Sequence, residues 1–421
     1  MSAELYKSSP QDFRHYAFYI LHSTFYILFL HSAFCIVIIT VGVWYMSLYL
    51  DNSATTRVCP EAAEAATDAM TVNFGNPSST HKTGIRAKTV LEQSRKSVAD
   101  RMGVSADEIY FSHSGTLANN TAIFGAVKAK KNRGNRIVTT SLEHPSVARV
   151  MDELENEGYE VIRLAPNENG SFSAEEMANA VNDKTILVST MYVNNETGAI
   201  NPVECIKKIV DAAKSPALIH VDAIQAFGKI DVRPKKLGVD FVSVSGHKIH
   251  APKGIGALYI RKGVNIRPFV LGGGQENGLF SGTENMPAIA GLGAAVNALP
   301  DTKKQLGVMR ELNAYLRSEL VKIPGVEINS PENGLPYILN ISLVGIPSQV
   351  AVNFLSEKEI YVSSGSACKR GHRSEVLTAM GLAPERIDSA IRVSMSRFTT
   401  KDELQVFVSA VNDAVNTLRR K

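Results

Sequence analysis

Cysteine is scarce in this chain: Cys35, Cys59, Cys205 and Cys368 are the only four among 421 residues. They lie far apart and form no CxxC pair, which speaks against a zinc site and against a disulfide scaffold and favours a reducing compartment. Net charge is nearly absent as well. The 45 basic and 41 acidic residues leave a formal charge of +4, and no basic stripe with interleaved aromatics is found, so nucleic acid is not an expected partner. Internal repeats and low-complexity tracts are missing too. What remains is ordinary globular composition, 44% apolar and 20% charged, in a chain long enough for roughly two or three domains.

One local absence is sharper. From Ala17 to Tyr45 there is no Lys, Arg, Asp or Glu, and the stretch exceeds the roughly 20 apolar residues that span a bilayer. Read as an anchor, it has Lys7 and Arg14 before it and Asp51 after it, which would place everything downstream outside the cytoplasm. That suits the unpaired cysteines poorly. No polar linker separates the stretch from Leu48-Tyr49-Leu50-Asp51, and it is too long for a signal peptide and lacks a clear cleavage site. The favoured reading is an apolar extension over residues 1–45 that does not belong to the functional protein, with Met46 as its natural start and a cytoplasmic location; the alternative is a membrane-anchored protein.

Beyond residue 46, short apolar runs alternate with helical patterns. Strands are expected at Ile109 to Phe111, Arg136 to Thr139, Val161 to Leu164, Ile186 to Met191, Ala217 to Asp222, Phe241 to Ser245 and Gly256 to Ile260. Helices are expected from Pro60 through Met70, from about His81 to Met102, from Leu117 to Lys130, from about Pro287, from about Thr302 to Ile323 and from Lys401. The alternation predicts an α/β fold, a mostly parallel seven-stranded sheet covered by helices on both faces, with ligands at the carboxyl ends of its strands. With strands near Ile338 to Leu343 and Ile391 to Met395, the remainder reads as a smaller α+β domain. The expected division is a large domain over 46–300 and a small one over 301–421.

Lys248 closes Ser245-Gly246-His247-Lys248 at one strand end, and Asp222 closes another, with Gln225 three residues on. Taken alone, a lysine there is most often an ordinary surface residue. Together, an amine that can form a Schiff base with an aldehyde and a carboxylate that can keep a ring nitrogen protonated are what pyridoxal phosphate requires. Ser114-Gly115-Thr116 follows a strand and opens a helix, where free N–H groups favour an anion. A plain helix cap is the commoner meaning of such a run. In Glu143-His144-Pro145 the imidazole could stack on a flat ring, though a lone loop histidine is usually just solvated. Asn194-Asn195-Glu196 offers amides for a phenolic oxygen, or merely shapes a turn. Cys368 lies between small residues and the basic Lys369-Arg370-Gly371-His372-Arg373, a setting for a mobile loop and a thiolate.

The ordered series DNSATT, GNPSSTH, SGT, EHPSV, NNETG, HVDAIQ, SGHK, SGTEN, SGSAC and IRVSMSRFTT resembles the cysteine desulfurases of the class V aminotransferase family, fold-type I pyridoxal phosphate enzymes. The likeness runs over essentially all of Met46 to Lys421. It implies Lys248 as the Schiff-base lysine, His144 against the pyridine ring and Asp222 on the ring nitrogen, with Gln225 and Asn195 near the ring hydroxyl. Gly115, Thr116, Ser245 and His247 would hold the phosphate, joined by Thr283 from the second subunit of a homodimer. Arg392 would bind the substrate carboxylate, with Asn195 nearby. L-cysteine would yield alanine and a persulfide on Cys368, passed to a sulfur-acceptor protein such as an iron–sulfur scaffold. No resident metal is expected, and only Cys368 would touch a nascent cluster.

Some positions depart from the pattern. Leu117 stands where many relatives carry Glu, and Asn277 and Phe280 where Arg is usual before Ser-Gly-Thr; the loop after Cys368 is slightly shortened and basic. Rival readings are another class V reaction, selenocysteine lysis or transamination, and a catalytically idle scaffold subunit.

Overall fold

The protein is described from a computed structural model that covers residues 24–28, 37–41, 47–268, 270–364 and 373–419. Two compact units emerge, Met1–Ser47 and Leu48–Lys421. In the first, strands β1 (Thr24–Leu28) and β2 (Val37–Val41) pair antiparallel, Thr24 opposite Val41. Part of the stretch read as a possible membrane span is therefore strand. Among the described residues no helix is long and apolar enough to cross a membrane.

The second unit begins with β3 (Leu48–Tyr49), then α1 (Pro60–Thr71) and α2 (Lys82–Met102). Helix α2 starts at His81, whose side chain accepts from the Gly84 N–H, and stops at Gly103, whose φ of 68° closes it in the left-handed conformation that glycine adopts without a steric cost. The main sheet is built from β4 (Ile109–Ser112), β5 (Arg136–Thr140), β6 (Glu160–Leu164), β7 (Thr185–Met191), β8 (Leu218–Asp222), β9 (Phe241–Ser245) and β10 (Gly256–Ile260). Its order is β4-β10-β9-β8-β7-β5-β6. Neighbours from β9 to β6 run parallel, and β10 alone is antiparallel to both of its neighbours. Every residue of β7, β8, β9 and β10 is buried, as a sheet covered on both faces demands, which is why these runs carry so little alternation. Helices α3 (Gly115–Lys130), α4 (Pro145–Asn156), α5 (Ala174–Ala180) and α6 (Ile206–Ala212) supply the crossovers, followed by the short α7 (Pro234–Leu237).

After α8 (Met286–Asn297) and α9 (Thr302–Leu320), a smaller C-terminal layer forms around an antiparallel sheet of β11 (Val326–Ile328), β12 (Ile338–Leu343) and β14 (Ala390–Ser394). Helix α10 (Ser348–Glu357) leads to β13 (Ile360–Tyr361), which pairs parallel with β3. Two short helices, α11 (Glu375–Ala379) and α12 (Pro384–Asp388), precede β14, and α13 (Lys401–Leu418) closes the described chain behind a capping box of Thr400 and Glu403. The seven expected strands of the large sheet all form, with ends shifted by a residue at most; the C-terminal strand expected to run on to Met395 stops at Ser394.

The two halves of this unit are stitched at its beginning. Asn52 Nδ2 donates to the Ser394 carbonyl at 2.9 Å, the Ser53 N–H to Ser394 Oγ at 2.8 Å, and the Ser394 N–H to the Leu50 carbonyl at 2.6 Å. The polar turn after β3 is thus held against β14, and its carbonyls face the end of the main sheet.

Candidate active site

Five parallel-running strands, β4, β5, β7, β8 and β9, send their carboxyl ends toward one cavity of about 600 Å³. Gly115, Thr116, His144, Asn195, Asp222, Gln225, Ser245, His247, Lys248 and Arg392 all line it. Two expected residues do not. Thr283 borders a separate small crevice with His113, Gly254 and Ile255, and Cys368 lies outside the described residues, although Arg373 and Glu375, just beyond it, reach the cavity wall.

Asp222 ends β8 on the cavity floor, 5% exposed. Its Oδ2 accepts from Asn119 Nδ2 at 2.8 Å and its Oδ1 from the Ile224 N–H at 3.0 Å. Burial pushes this carboxyl above its usual range, opposed by those two donors and by the positive charges available on His144 and Lys248. Asn119 sits one turn into α3 and also donates to Ser146 Oγ at 2.9 Å. Sequence reasoning missed it, though its spacing of four from Gly115 was a usable signal. His144 caps α4: its Nδ1 accepts from the Ser146 N–H at 3.1 Å and lies 2.9 Å from Ser146 Oγ. Burial lowers its pKa first of all, with Lys248 adding to the effect and Asp222 opposing it, so a neutral ring is favoured.

Lys248 follows β9 in a single 3-10 turn. Its Nζ donates to the carbonyls of Ser53 and, at 2.8 Å, of Ala54. The same Ser53 carbonyl takes a hydrogen bond from Gln225 Nε2 at 3.0 Å. His247 approaches Thr55 Oγ1 at 3.3 Å, and burial, with the nearby lysines, pushes its pKa down to about 4. Arg392 on β14 is 2% exposed. It donates to Asp51 Oδ1 and to the Asn195 carbonyl at 2.8 and 2.9 Å, while its Nε has no partner among the described residues. Part of the guanidinium expected to clamp a substrate carboxylate is thus already engaged by the chain itself.

At the amino end of α3, Ser114 Oγ accepts from the Leu117 N–H, which leaves the Gly115 and Thr116 N–H groups for an anion. A Cβ on Gly115 would come within 2.4 Å of Ile224 Cδ1 and 3.1 Å of Ser245 Cβ, so the backbone here lies against the strand ends closely enough to leave no room for a side chain.

Glu143 was not assigned a role by the sequence. It is 8% exposed. Its Oε1 accepts from Thr140 Oγ1 at 2.6 Å and the Met191 N–H at 2.9 Å, while Oε2 is buried with no partner among the described residues. Burial raises its pKa to about 8, and Asp222 adds to this. The departures also have local explanations. Phe280 is 3% exposed and packs with Leu279 into the core cluster that Leu117 flanks, and Glu276, next to Asn277, holds Arg95 in a two-point ion pair with both contacts at 2.7 Å.

Residues 48–407 match the family model for Aminotransferase class-V. The chain belongs to that family. A cysteine desulfurase, IscS, of Methanosarcina thermophila is 40% identical over 377 residues, covering 89% of this chain and 93% of the relative. Among solved structures, a NifS-like protein superposes with a TM-score of 0.84 at 37% identity over 89% of this chain and 100% of its own. A second, SspA in complex with cysteine, gives 0.75 at 31% over 84% and 100%. The class V scaffold accounts for the layout: a sheet whose strand ends carry the candidate residues, capped by a smaller C-terminal part that brings Arg392 to the same cavity.

Proposed function

We propose that this class V chain is a pyridoxal phosphate-dependent cysteine desulfurase that converts L-cysteine to L-alanine and carries the released sulfur as a persulfide on Cys368. The observation that carries the reading is the convergence of Lys248, Asp222, His144 and Arg392, drawn from three strands of one sheet and one of another, on a single cavity. The residues present fit the cofactor. A buried acid with two donors already placed suits a pyridinium, a neutral imidazole suits an aromatic face, and a side-chain-free helix start suits a phosphate.

When bound, pyridoxal phosphate supplies an electron sink for the charge left on the substrate Cα. Asp222 holds the proton on the ring nitrogen, and Asn119 and the Ile224 N–H keep its carboxylate aimed and ionised. Gly115, Thr116, Ser245 and His247 bind the phosphate, with Thr283 contributed by the second subunit of a homodimer. Gln225 and Asn195 bind the ring hydroxyl. Lys248 would hold the cofactor through its Nζ and, when that amine is free, would take the Cα proton on it; the carbonyls of Ser53 and Ala54 hold the free amine in place. Arg392 orients the substrate through its carboxylate. The Cys368 thiolate forms a bond to the substrate sulfur as the Cβ–S bond breaks; the electron pair stays on Cβ, which takes up one proton to become the alanine methyl group. The persulfide passes to an acceptor protein such as an iron–sulfur scaffold. We assign residues 46–300 to the cofactor-binding domain and 301–421 to the domain carrying the cysteine loop, and place the protein in the cytoplasm.

The test is an assay of alanine and sulfide from L-cysteine. Stoichiometric alanine that depends on Lys248 supports the reading, and failure of the wild-type protein to form alanine in the presence of the cofactor refutes it.

A further inference from the structure

A second lysine lies behind the site. Lys229 is 8% exposed, and among the described residues its Nζ has one hydrogen-bond partner, Gln225 Oε1 at 2.9 Å; the face of Tyr337 lies 5.9 Å away. No carboxylate pairs with it among the described residues. The charges that reach it are Lys248 and Arg392, both cations, and after burial these two push its pKa down to about 7. A buried amine without a counter-ion weakens folding, and an apolar side chain at this place would not. Beside it is a crevice of about 20 Å³ shared with Lys248, Tyr337 and Arg397.

The hydrogen bonds around Lys229 form one chain. The Ser53 carbonyl can only accept, so the Gln225 amide must turn its Nε2 toward Ser53 and its Oε1 toward Lys229. The same Ser53 carbonyl receives Lys248 Nζ, and Ser53 is itself fixed by Ser394 on β14. We infer, on the footing of the cofactor reading above, that Lys229 is a positioning residue: it locks the orientation of the Gln225 amide, leaving the second N–H of that amide for the cavity, and, through the shared Ser53 carbonyl, fixes the seat of Lys248. Lys229 touches neither substrate nor cofactor in this role; it acts through Gln225.

The test is a double-mutant cycle on the full chain, Lys229→Met and Gln225→Ala singly and together. The dissociation constant for pyridoxal phosphate is read from its visible absorbance band. Lys229→Met should weaken binding about 10-fold, the worth of one well-placed hydrogen bond, yet add less than about 2-fold when Gln225 is already Ala. A purely structural lysine would cost the same in both backgrounds, and that result overturns the inference. A second readout is the pH midpoint of the same band. Removing a cation from beside Lys248, whose surroundings also include His144, Asp222, His247, His250, Arg392 and Arg397, should move the midpoint upward. An unmoved midpoint counts against the role even if the melting temperature changes. Wild-type protein that takes up no cofactor overturns the cofactor reading and this inference together, whereas wild-type uptake with additive losses overturns this inference alone.

Discussion

Replacing Asp222 by Asn separates what this residue does for chemistry from what it costs the fold. The change is nearly isosteric, and the site can absorb it. Asn119 donates to Asp222 through Nδ2 while its Oδ1 is buried without a partner among the described residues. A flip of the Asn119 amide would turn that oxygen toward the new amide N–H, with Ser146 Oγ reversing its role as acceptor. Geometry is therefore retained while the negative charge is lost. Giving up a charge-assisted hydrogen bond to the ring nitrogen, worth about 1.5–3 kcal/mol, should slow alanine formation about 10- to 150-fold. Stability moves the other way. Burial raises the folded pKa of Asp222 above its ordinary 3.8, so in the wild type ionisation costs the folded state more as pH rises through that value. The Asn variant, freed of its cofactor, should melt higher than the wild type at pH 7, and the gap should close as pH falls below 3.8. Calorimetry of the cofactor-free proteins across pH, beside alanine assays of the loaded ones, reads both effects. An Asp222→Asn protein that makes alanine at the wild-type rate, or that is less stable than wild type at pH 7, would refute the reasoning.

Other substitutions test the remaining roles. Lys248→Ala should abolish alanine formation, a loss of at least about 1000-fold, while leaving the melting temperature of the cofactor-free protein near the wild-type value. Cys368→Ser should still bind the cofactor with an unchanged visible spectrum but form no protein persulfide, as mass spectrometry of the protein after exposure to L-cysteine would show. Arg392→Lys should raise KM for L-cysteine about 10-fold or more, because a point charge replaces the fork and also loses its geometry toward Asp51 and Asn195. Glu143 has its folded pKa raised from 4.5 to about 8, so its contribution to stability is present below pH 4.5 and lost between there and pH 8; Glu143→Gln should flatten that part of a melting-temperature profile.

Much of this was legible in the sequence because the main sheet is buried on both faces. Continuous apolar runs such as Phe241 to Ser245 have one stable solution in an alternating α/β pattern, and their carboxyl ends place Asp222 and Lys248 without reference to any contact. What the sequence hid were relations between distant residues. The role of Asn119 as the prop of Asp222, the shared Ser53 carbonyl, the Asp51 ion pair on Arg392 and the uncompensated burial of Lys229 depend on the order of strands and on β14 reaching back to the first turn. Periodicity carries no information about such pairings. The N-terminal stretch shows the opposite limit: a run apolar enough for a membrane helix holds a pair of five-residue strands in its described part, since apolar content without periodicity does not distinguish helix from strand.

The carbonyl that seats the Lys248 amine belongs to a turn whose own anchor, Ser394, lies 341 residues further along the chain. A ribosome making this protein finishes the main sheet long before it makes that anchor, and until β14 emerges the turn has nothing to hold it in register. Capture of the cofactor in a competent pose therefore falls among the last events of biogenesis, and a nascent chain halted between residues 248 and 394 would carry Lys248 without the clasp that restrains it.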